Sequence, residues 1–227
     1  MSSTSDPEKV VLYVSIKRFI DIAGSIFLLI LFSPIMFVTA ILIKLSSPGP
    51  ALVEKTNVHM KRLGKDGKIF RLYKFRSMMV KADVLETTDP KYRDVYIEKR
   101  TRGNYKVMND PRITGIGRFI RRHSIDEMPQ LINVLRGEMS IVGPRAYLPE
   151  ELEEQLKRYP KAKNLVDEVL KTKPGITGYW QVSGRSEVTF DKRIEMDAYY
   201  ARKKSILFDI LIMFKTPWAM ISGKGAV

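Results

Sequence analysis

The chain of 227 residues contains no cysteine and only two histidines, His59 and His123. The first absence excludes disulfides and thiolate metal sites, and it fits a reducing compartment without establishing one. The second excludes a histidine-rich zinc centre and leaves a Ser-His-Asp triad only two candidates. A metal bound here would be a hard, oxygen-ligated ion such as magnesium. The phosphate-cradling patterns G-x-x-x-x-G-K-[ST] and G-x-G-x-x-G are also missing. No internal repeat or low-complexity tract occurs. Acids are scarce as well: 25 Asp and Glu stand against 39 Lys and Arg, a net charge of +14. That imbalance points to acidic partners, namely nucleic acid, an anionic membrane surface or a phosphorylated substrate. The length suits one sizeable domain, alone or with an appendage.

What is present begins with an uncharged run from Ile22 to Ile43. A membrane-crossing helix needs about 20 apolar residues, and this run supplies them. It is too long for the core of a signal peptide, and no small-residue cleavage site follows it. A soluble core helix would carry a polar face. Pro34 sits near the middle and removes a backbone hydrogen bond. Lys17 and Arg18 precede the run, while Lys44, Lys55, Lys61 and Arg62 follow it. Positive charge prefers the cytoplasmic side, yet here it flanks both ends. A helix broken at Ser33-Pro34 that dips in and returns satisfies both flanks. On physical grounds alone an ordinary kinked span is slightly favoured over that re-entrant form.

Further along, "RLGKDGKIFRLYKFRSM" reads as a glycine-punctuated turn and a short strand, Ile69 to Phe75. The charged stretch from Lys81 to Asn109 reads as surface helix and loop. A short basic helix covers Arg118 to Arg122, and the spacing of Met128, Leu131, Ile132 and Leu135 predicts another, stopped by Gly137. The segment from Leu148 to Lys171 has helical spacing interrupted at Pro160. "KPGITGYWQVSGR" is glycine-rich and reads as a loop. The C-terminal apolar stretch, broken by Asp209 and Lys215, reads as an interfacial helix. The fold class is therefore α+β: mostly helical, with a small β-sheet or hairpin, one membrane helix and interfacial amphipathic helices. The expected division is an N-terminal extension over 1–16, the membrane helix over 17–45, and a membrane-associated domain over 46–227.

Within "RHSIDEMPQL" two carboxylates, Asp126 and Glu127, stand side by side. Ser124 followed three residues later by Glu127 has the capping-box pattern, which explains both acids without catalysis. With Ser124 as cap, Pro129 loses a ladder bond; with Asp126 as cap, its missing N–H costs nothing. Either way the pair lies at a helix N-terminus, a place suited to phosphate. Arg145 in "GPR", Arg185 in "SGR" and Arg76 in "KFR" lie near glycines and singly read as surface charges. Together with the acids and the apolar run they suggest a phosphorylated substrate at a bilayer surface. Arginine forks grip phosphate, and adjacent acids hold magnesium.

"KRFIDIAGSIFLLILFSPIM", "RLGKDGKIFRLYKFRSM", "DPRITGIGRFIRRHSIDEMPQLINVLRGEMSIVGPR" and "KPGITGYWQVSGR" closely resemble the monotopic phosphoglycosyl transferases, bacterial sugar transferases. The resemblance runs from about Lys17 to the C-terminus in motif order. It implies a re-entrant helix breaking at Ser33-Pro34, a catalytic domain on the cytoplasmic face of the bacterial inner membrane, and a Mg2+ requirement. The implied reaction moves a sugar 1-phosphate from a UDP-sugar to undecaprenyl phosphate, at the first membrane step of a surface glycoconjugate. Asp126 is then the nucleophile, forming a sugar-phosphoryl aspartate, and Glu127 its partner at the metal. Lys74, Arg145 and Arg185 align with family positions near the phosphates, and Arg76 is phosphate-binding or structural. A hexose is the expected sugar, a homodimer is permitted, and no nucleic-acid partner is implied. Ala146 departs from the proline usual in the family after "GPR". Longer members carry extra N-terminal spans, so the chain is expected to be a short form or a trimmed catalytic part. The rival from another class is a membrane-tethered nucleic-acid-binding or scaffold protein, which the charge alone also permits.

Overall fold

Apolar residues without a polar face build the first element, α1 (Pro7–Ser46), a helix of 40 residues. It belongs to a computed structural model that describes residues 7–53, 57–94, 97, 110–183 and 188–221. The helix starts inside the stretch read from sequence as an extension. It also continues through Pro34, so the expected break at Ser33-Pro34 does not interrupt the helical run. The reason lies in one side chain. Proline leaves the Ile30 carbonyl without its usual N–H donor. The Ser33 hydroxyl donates to that carbonyl at 2.8 Å and fills the gap. In the most apolar stretch of α1 only 11% of residues are buried, which argues against a core helix.

Both flanks of the apolar run are bonded to the rest of the protein. On the first flank Lys17 donates to the Val142 carbonyl at 3.0 Å and to Asp209 at 2.8 Å. Arg18 donates to the Val134 and Leu135 carbonyls at 2.6 and 2.8 Å. Those are C-terminal carbonyls of α4 (Gln130–Leu135), where the helical ladder ends, and the Val134 carbonyl also accepts from the Gly137 N–H at 2.9 Å. Asp21 is buried and accepts from Ser140 Oγ and the Ile141 N–H, both at 2.9 Å. On the second flank Arg76 donates to Ser47 Oγ, the Ser47 carbonyl and the Pro50 carbonyl, at 2.8, 3.0 and 2.7 Å. Lys17 and Arg18, counted from sequence as membrane-flanking charge, are also ties to the domain.

After α1, strands β1 (Lys61–Leu63) and β2 (Ile69–Arg71) form an antiparallel hairpin with Lys61 opposite Arg71. Its turn uses positive φ at Asp66 and Gly67. The expected strand to Phe75 is shorter, but Phe75 still bridges to Leu52. Helix α2 (Ala82–Thr88) follows, then α3 (Gly115–Arg122), capped by the Thr114 hydroxyl, which accepts from the Gly117 N–H at 3.0 Å. Only glycine fits at 117, because a Cβ there would overlap the Ser77 carbonyl. Before α3, Arg112 is fully buried against Asp110 in a two-bond fork at 2.9 and 2.5 Å, and donates to the Ala82 carbonyl at 2.6 Å.

Helix α4 leads to β3 (Ser140–Val142), buried throughout. Helices α5 (Pro149–Arg158) and α6 (Lys163–Val169) carry the chain to β4 (Gly175–Thr177), which pairs parallel with β3. Gly143 and Gly175 lie so close that a Cβ on either would strike the other's backbone. The segment read as a glycine-rich loop thus holds β4 and a short helix, α7 (Tyr179–Ser183). Its glycines serve close backbone approach rather than irregularity. The C-terminal stretch divides into α8 (Phe190–Lys203) and α9 (Ile206–Ile221). Val134, Met139, Val142, Tyr200 and Ile212 form the core around β3. On α9, Leu207, Leu211, Phe214 and Trp218 are exposed at helical spacing, as an interfacial helix requires.

Candidate active site

Two consecutive tight turns set the paired carboxylates. Ser124 adopts φ 55°, the left-handed region, and makes no side-chain cap bond. The capping box expected of Ser124 and Glu127 is therefore absent, since a cap needs extended backbone. Asp126 and Glu127 lie instead in a 3-10 turn, Ile125–Glu127, just before α4. The Phe75 N–H donates to the Asp126 carbonyl at 2.9 Å and pins this turn to the segment that carries Lys74.

Lys74 Nζ lies 2.8 Å from Asp126 Oδ2 and 3.4 Å from Glu127 Oε1. The two acids differ in exposure: the Asp126 side chain is 3% exposed and that of Glu127 40%. Glu127 and Lys74 line a cleft of about 480 Å³ together with Arg62, Arg121, Gln130 and Arg145. Asp126 does not itself line that cleft; it is buried and joined to it through Lys74. Burial pushes its carboxyl above the ordinary carboxylate range; Lys74 and Arg121 oppose this, while Glu127 adds to it.

Arg145 reaches the cleft from the loop after β3. Its N–H donates to buried Asp197 at 3.1 Å, and the Tyr147 hydroxyl donates to the same oxygen at 2.9 Å. The guanidinium lies 5.6 Å from the Trp180 ring centre and 3.9 Å from Glu151. Arg193 approaches Trp180 at 5.6 Å and Glu151 at 3.3 Å. Trp180 is thus a prop for two cations rather than an open stacking face. Ala146, where the family favours proline, packs against the core, and the Arg145 backbone is held by Asp197 instead. Burial lowers Arg62 to about 10, with Arg145 adding repulsion.

Among the residues read from sequence, Lys74, Glu127 and Arg145 line one cleft, and buried Asp126 is tied to it through Lys74. Arg76 borders it, but is buried and bonded to Ser47 and Pro50, the structural alternative. Arg185 lies outside the described residues. Ser33 and Pro34 are remote, on α1. Sequence reasoning did not single out Arg121, Gln130 or Asp197. For Asp197 a signal existed: it stands one turn after Arg193, on the same helix face.

The described residues contain no cluster of three or more His, Asp or Glu that would cage a metal. Adjacent carboxylates, one of them open to the cleft, still fit a magnesium ion completed by water and phosphate oxygens.

The chain matches the family model described as bacterial sugar transferase over residues 12–223. It is 43% identical to an undecaprenyl-phosphate galactose phosphotransferase of Salmonella typhimurium, over 93% of this chain and 41% of that protein. To an exopolysaccharide production protein of Rhizobium meliloti it is 38% identical, over 92% of this chain and 87% of that one. A UDP-glucose:undecaprenyl-phosphate glucose-1-phosphate transferase of Escherichia coli shares 38% identity, over 93% and 41%. The chain thus spans less than half the length of the Salmonella and Escherichia relatives. Match and geometry agree: this chain belongs to the bacterial sugar transferase family.

Proposed function

We propose that the protein transfers a hexose 1-phosphate from a UDP-sugar to undecaprenyl phosphate, releasing UMP and giving undecaprenyl-diphospho-sugar. The observation that carries this reading is the Lys74–Asp126–Glu127 cluster at an arginine-lined cleft, in a chain with an exposed apolar helix. The names of the relatives support the same chemistry.

Two displacements at one site account for it. A diphosphate entering the cleft offers oxygens to Lys74, Arg121 and Arg145, and draws the Lys74 ammonium off Asp126. An Asp126 oxygen then attacks the sugar-bearing phosphorus. The bond from that phosphorus to the bridging oxygen breaks, and its electrons leave with UMP. A phosphate oxygen of the lipid acceptor next attacks the same phosphorus, and the bond to Asp126 breaks to restore the carboxylate. The cations compensate charge on the transferred group without moving a proton. Asp126 and Glu127 would hold magnesium, which supplies further neutralisation of phosphate charge when bound.

The re-entrant arrangement also belongs to this reading. Asp21 and Ser47 bracket the apolar run, and both are bonded to the same body. A helix bent at Pro34, without interruption of its helical run, would leave and return to one face of a membrane with that contact pattern. The exposed stripe of α9 would rest on the lipid surface, with the cleft on the cytoplasmic face of the inner membrane. The product would begin a surface glycan such as an exopolysaccharide, capsule or O-antigen. The test is release of UMP from a panel of UDP-sugars, in the presence of undecaprenyl phosphate and magnesium. Release from none of them would refute the reading.

A further inference from the structure

We propose that Arg193 is a positioning residue for the transfer: it occupies Glu151, and so leaves the Arg145 guanidinium uncommitted for the phosphates of the sugar donor. This rests on the reading of Arg145 as a phosphate ligand given above. Glu151, in the first turn of α5, is buried beside two cations. Arg193, on α8, donates to its Oε1 at 3.3 Å. Arg145 comes only to 3.9 Å from its Oε2, beyond hydrogen-bonding reach. That oxygen is buried and has no donor among the described residues, and the Arg145 Nε–H likewise has no acceptor. A carboxylate oxygen and a guanidinium so close, each with bonding capacity left over, pair unless something prevents it.

Arg193 prevents it. Three rings surround its guanidinium, with centres at 5.5 Å for Tyr147, 5.6 Å for Trp180 and 5.8 Å for Phe190. Their faces attract the cation and fix it beside Glu151. Neither Arg193 nor Glu151 lines the cleft, whereas Arg145 does. Arg145 needs no carboxylate to stay there, because Asp197 holds its backbone N–H and Trp180 supports its guanidinium. With Glu151 neutralised by Arg193, the charge of Arg145 adds to those of Arg62 and Lys74 along the cleft. Without Arg193, Glu151 would be a buried carboxylate lacking its partner, which is costly. A closure of about 1 Å onto Arg145 would relieve that cost, since charged hydrogen bonds settle near 2.8 Å. The cleft would then lose a phosphate ligand while the fold kept its core.

A residue that merely braced α8 against α5 would behave differently on mutation. Arg193→Met keeps an unbranched, adaptable chain among the three rings and removes the charge. Titration calorimetry of the full chain in detergent, with UDP and magnesium, should show binding weakened by about tenfold, the worth of one charge-assisted hydrogen bond. The kcat/KM for UMP release should fall at least as far. Adding Glu151→Gln removes the competing charge, so the double variant should recover most of the lost affinity. Arg193→Lys, which keeps a cation beside Glu151, should stay close to the wild type. Glu151→Gln alone should bind UDP at least as tightly as the wild type, and this is read even where Arg193→Met fails to fold. Bracing predicts the reverse: weaker binding in Glu151→Gln, and the weakest in the double variant. Either result, or wild-type affinity in Arg193→Met, would overturn the proposal. A wild type that neither binds UDP nor releases UMP would refute the transfer reading itself, and this proposal with it.

Discussion

Lys74, which lines the cleft, holds its ammonium 2.8 Å from the carboxylate of Asp126, which is buried and does not. The lysine has two roles on this account. It favours the ionised form of a buried acid against the effect of burial, and it covers that acid until phosphate arrives.

Removing the lysine separates these roles. In Lys74→Met, burial acts on Asp126 with less opposition, so its carboxyl rises further above the ordinary range. UMP release should fall by about a hundredfold or more, as expected when a preorganised charge is lost. The acid limb of the pH–rate profile should move to higher pH, because the attacking form is the carboxylate. An acid limb that stays in place would show that Lys74 does not tune Asp126.

Asp197 predicts how stability depends on pH. Burial lifts its carboxyl from 3.8 to about 7, against the Arg145 N–H, the Tyr147 hydroxyl and the charges of Arg193 and Arg145. The folded state therefore holds this proton more tightly than the unfolded chain does. The associated stabilisation is full below the unfolded value and is lost as pH rises through about 7. The thermal midpoint of the wild type should fall across that window, and Asp197→Asn should flatten the fall. An equal slope in the variant would assign the titration to another group.

The Asp110–Arg112 fork is buried and borders the same cleft as Lys74 and Glu127. Asp110→Asn removes the charge of one buried fork partner of Arg112, and breaking a buried pair costs about 3–5 kcal/mol. Denaturant unfolding should show that loss as a lower midpoint with an unchanged slope. A variant as stable as the wild type would mean that water reaches Arg112.

Topology gives a fourth expectation. Single cysteines at Ser2 and Lys81 should both resist a membrane-impermeant thiol reagent added from the periplasmic side. Labelling at Ser2 alone would replace the re-entrant arrangement with a simple span.

Much of this was legible in the sequence because it depends on local chemistry. The apolar run, the hairpin turn at Gly64–Gly67 and the Asp126–Glu127 pair follow from composition and spacing. Ser124 was not legible: its positive φ comes from tertiary anchoring of the turn, including the bond from Phe75 to Asp126, and removes the cap that its spacing suggested. The β4 strand was hidden for a related reason. Its glycine is needed for a backbone contact with Gly143, 32 positions away, and spacing along the chain carries no trace of that partner. Lys17 and Arg18 satisfied the rule for membrane-flanking charge, and nothing local indicated that they also tie α1 to α4 and α9.

The most direct test of the central claim is intact-protein mass spectrometry after mixing with a UDP-sugar and magnesium, without lipid acceptor. The account predicts a mass gain of one sugar phosphate, located at Asp126, lost when undecaprenyl phosphate is added and never formed by Asp126→Asn. An Asp126→Asn variant that still transfers at the wild-type rate, or an adduct on another residue, would contradict it.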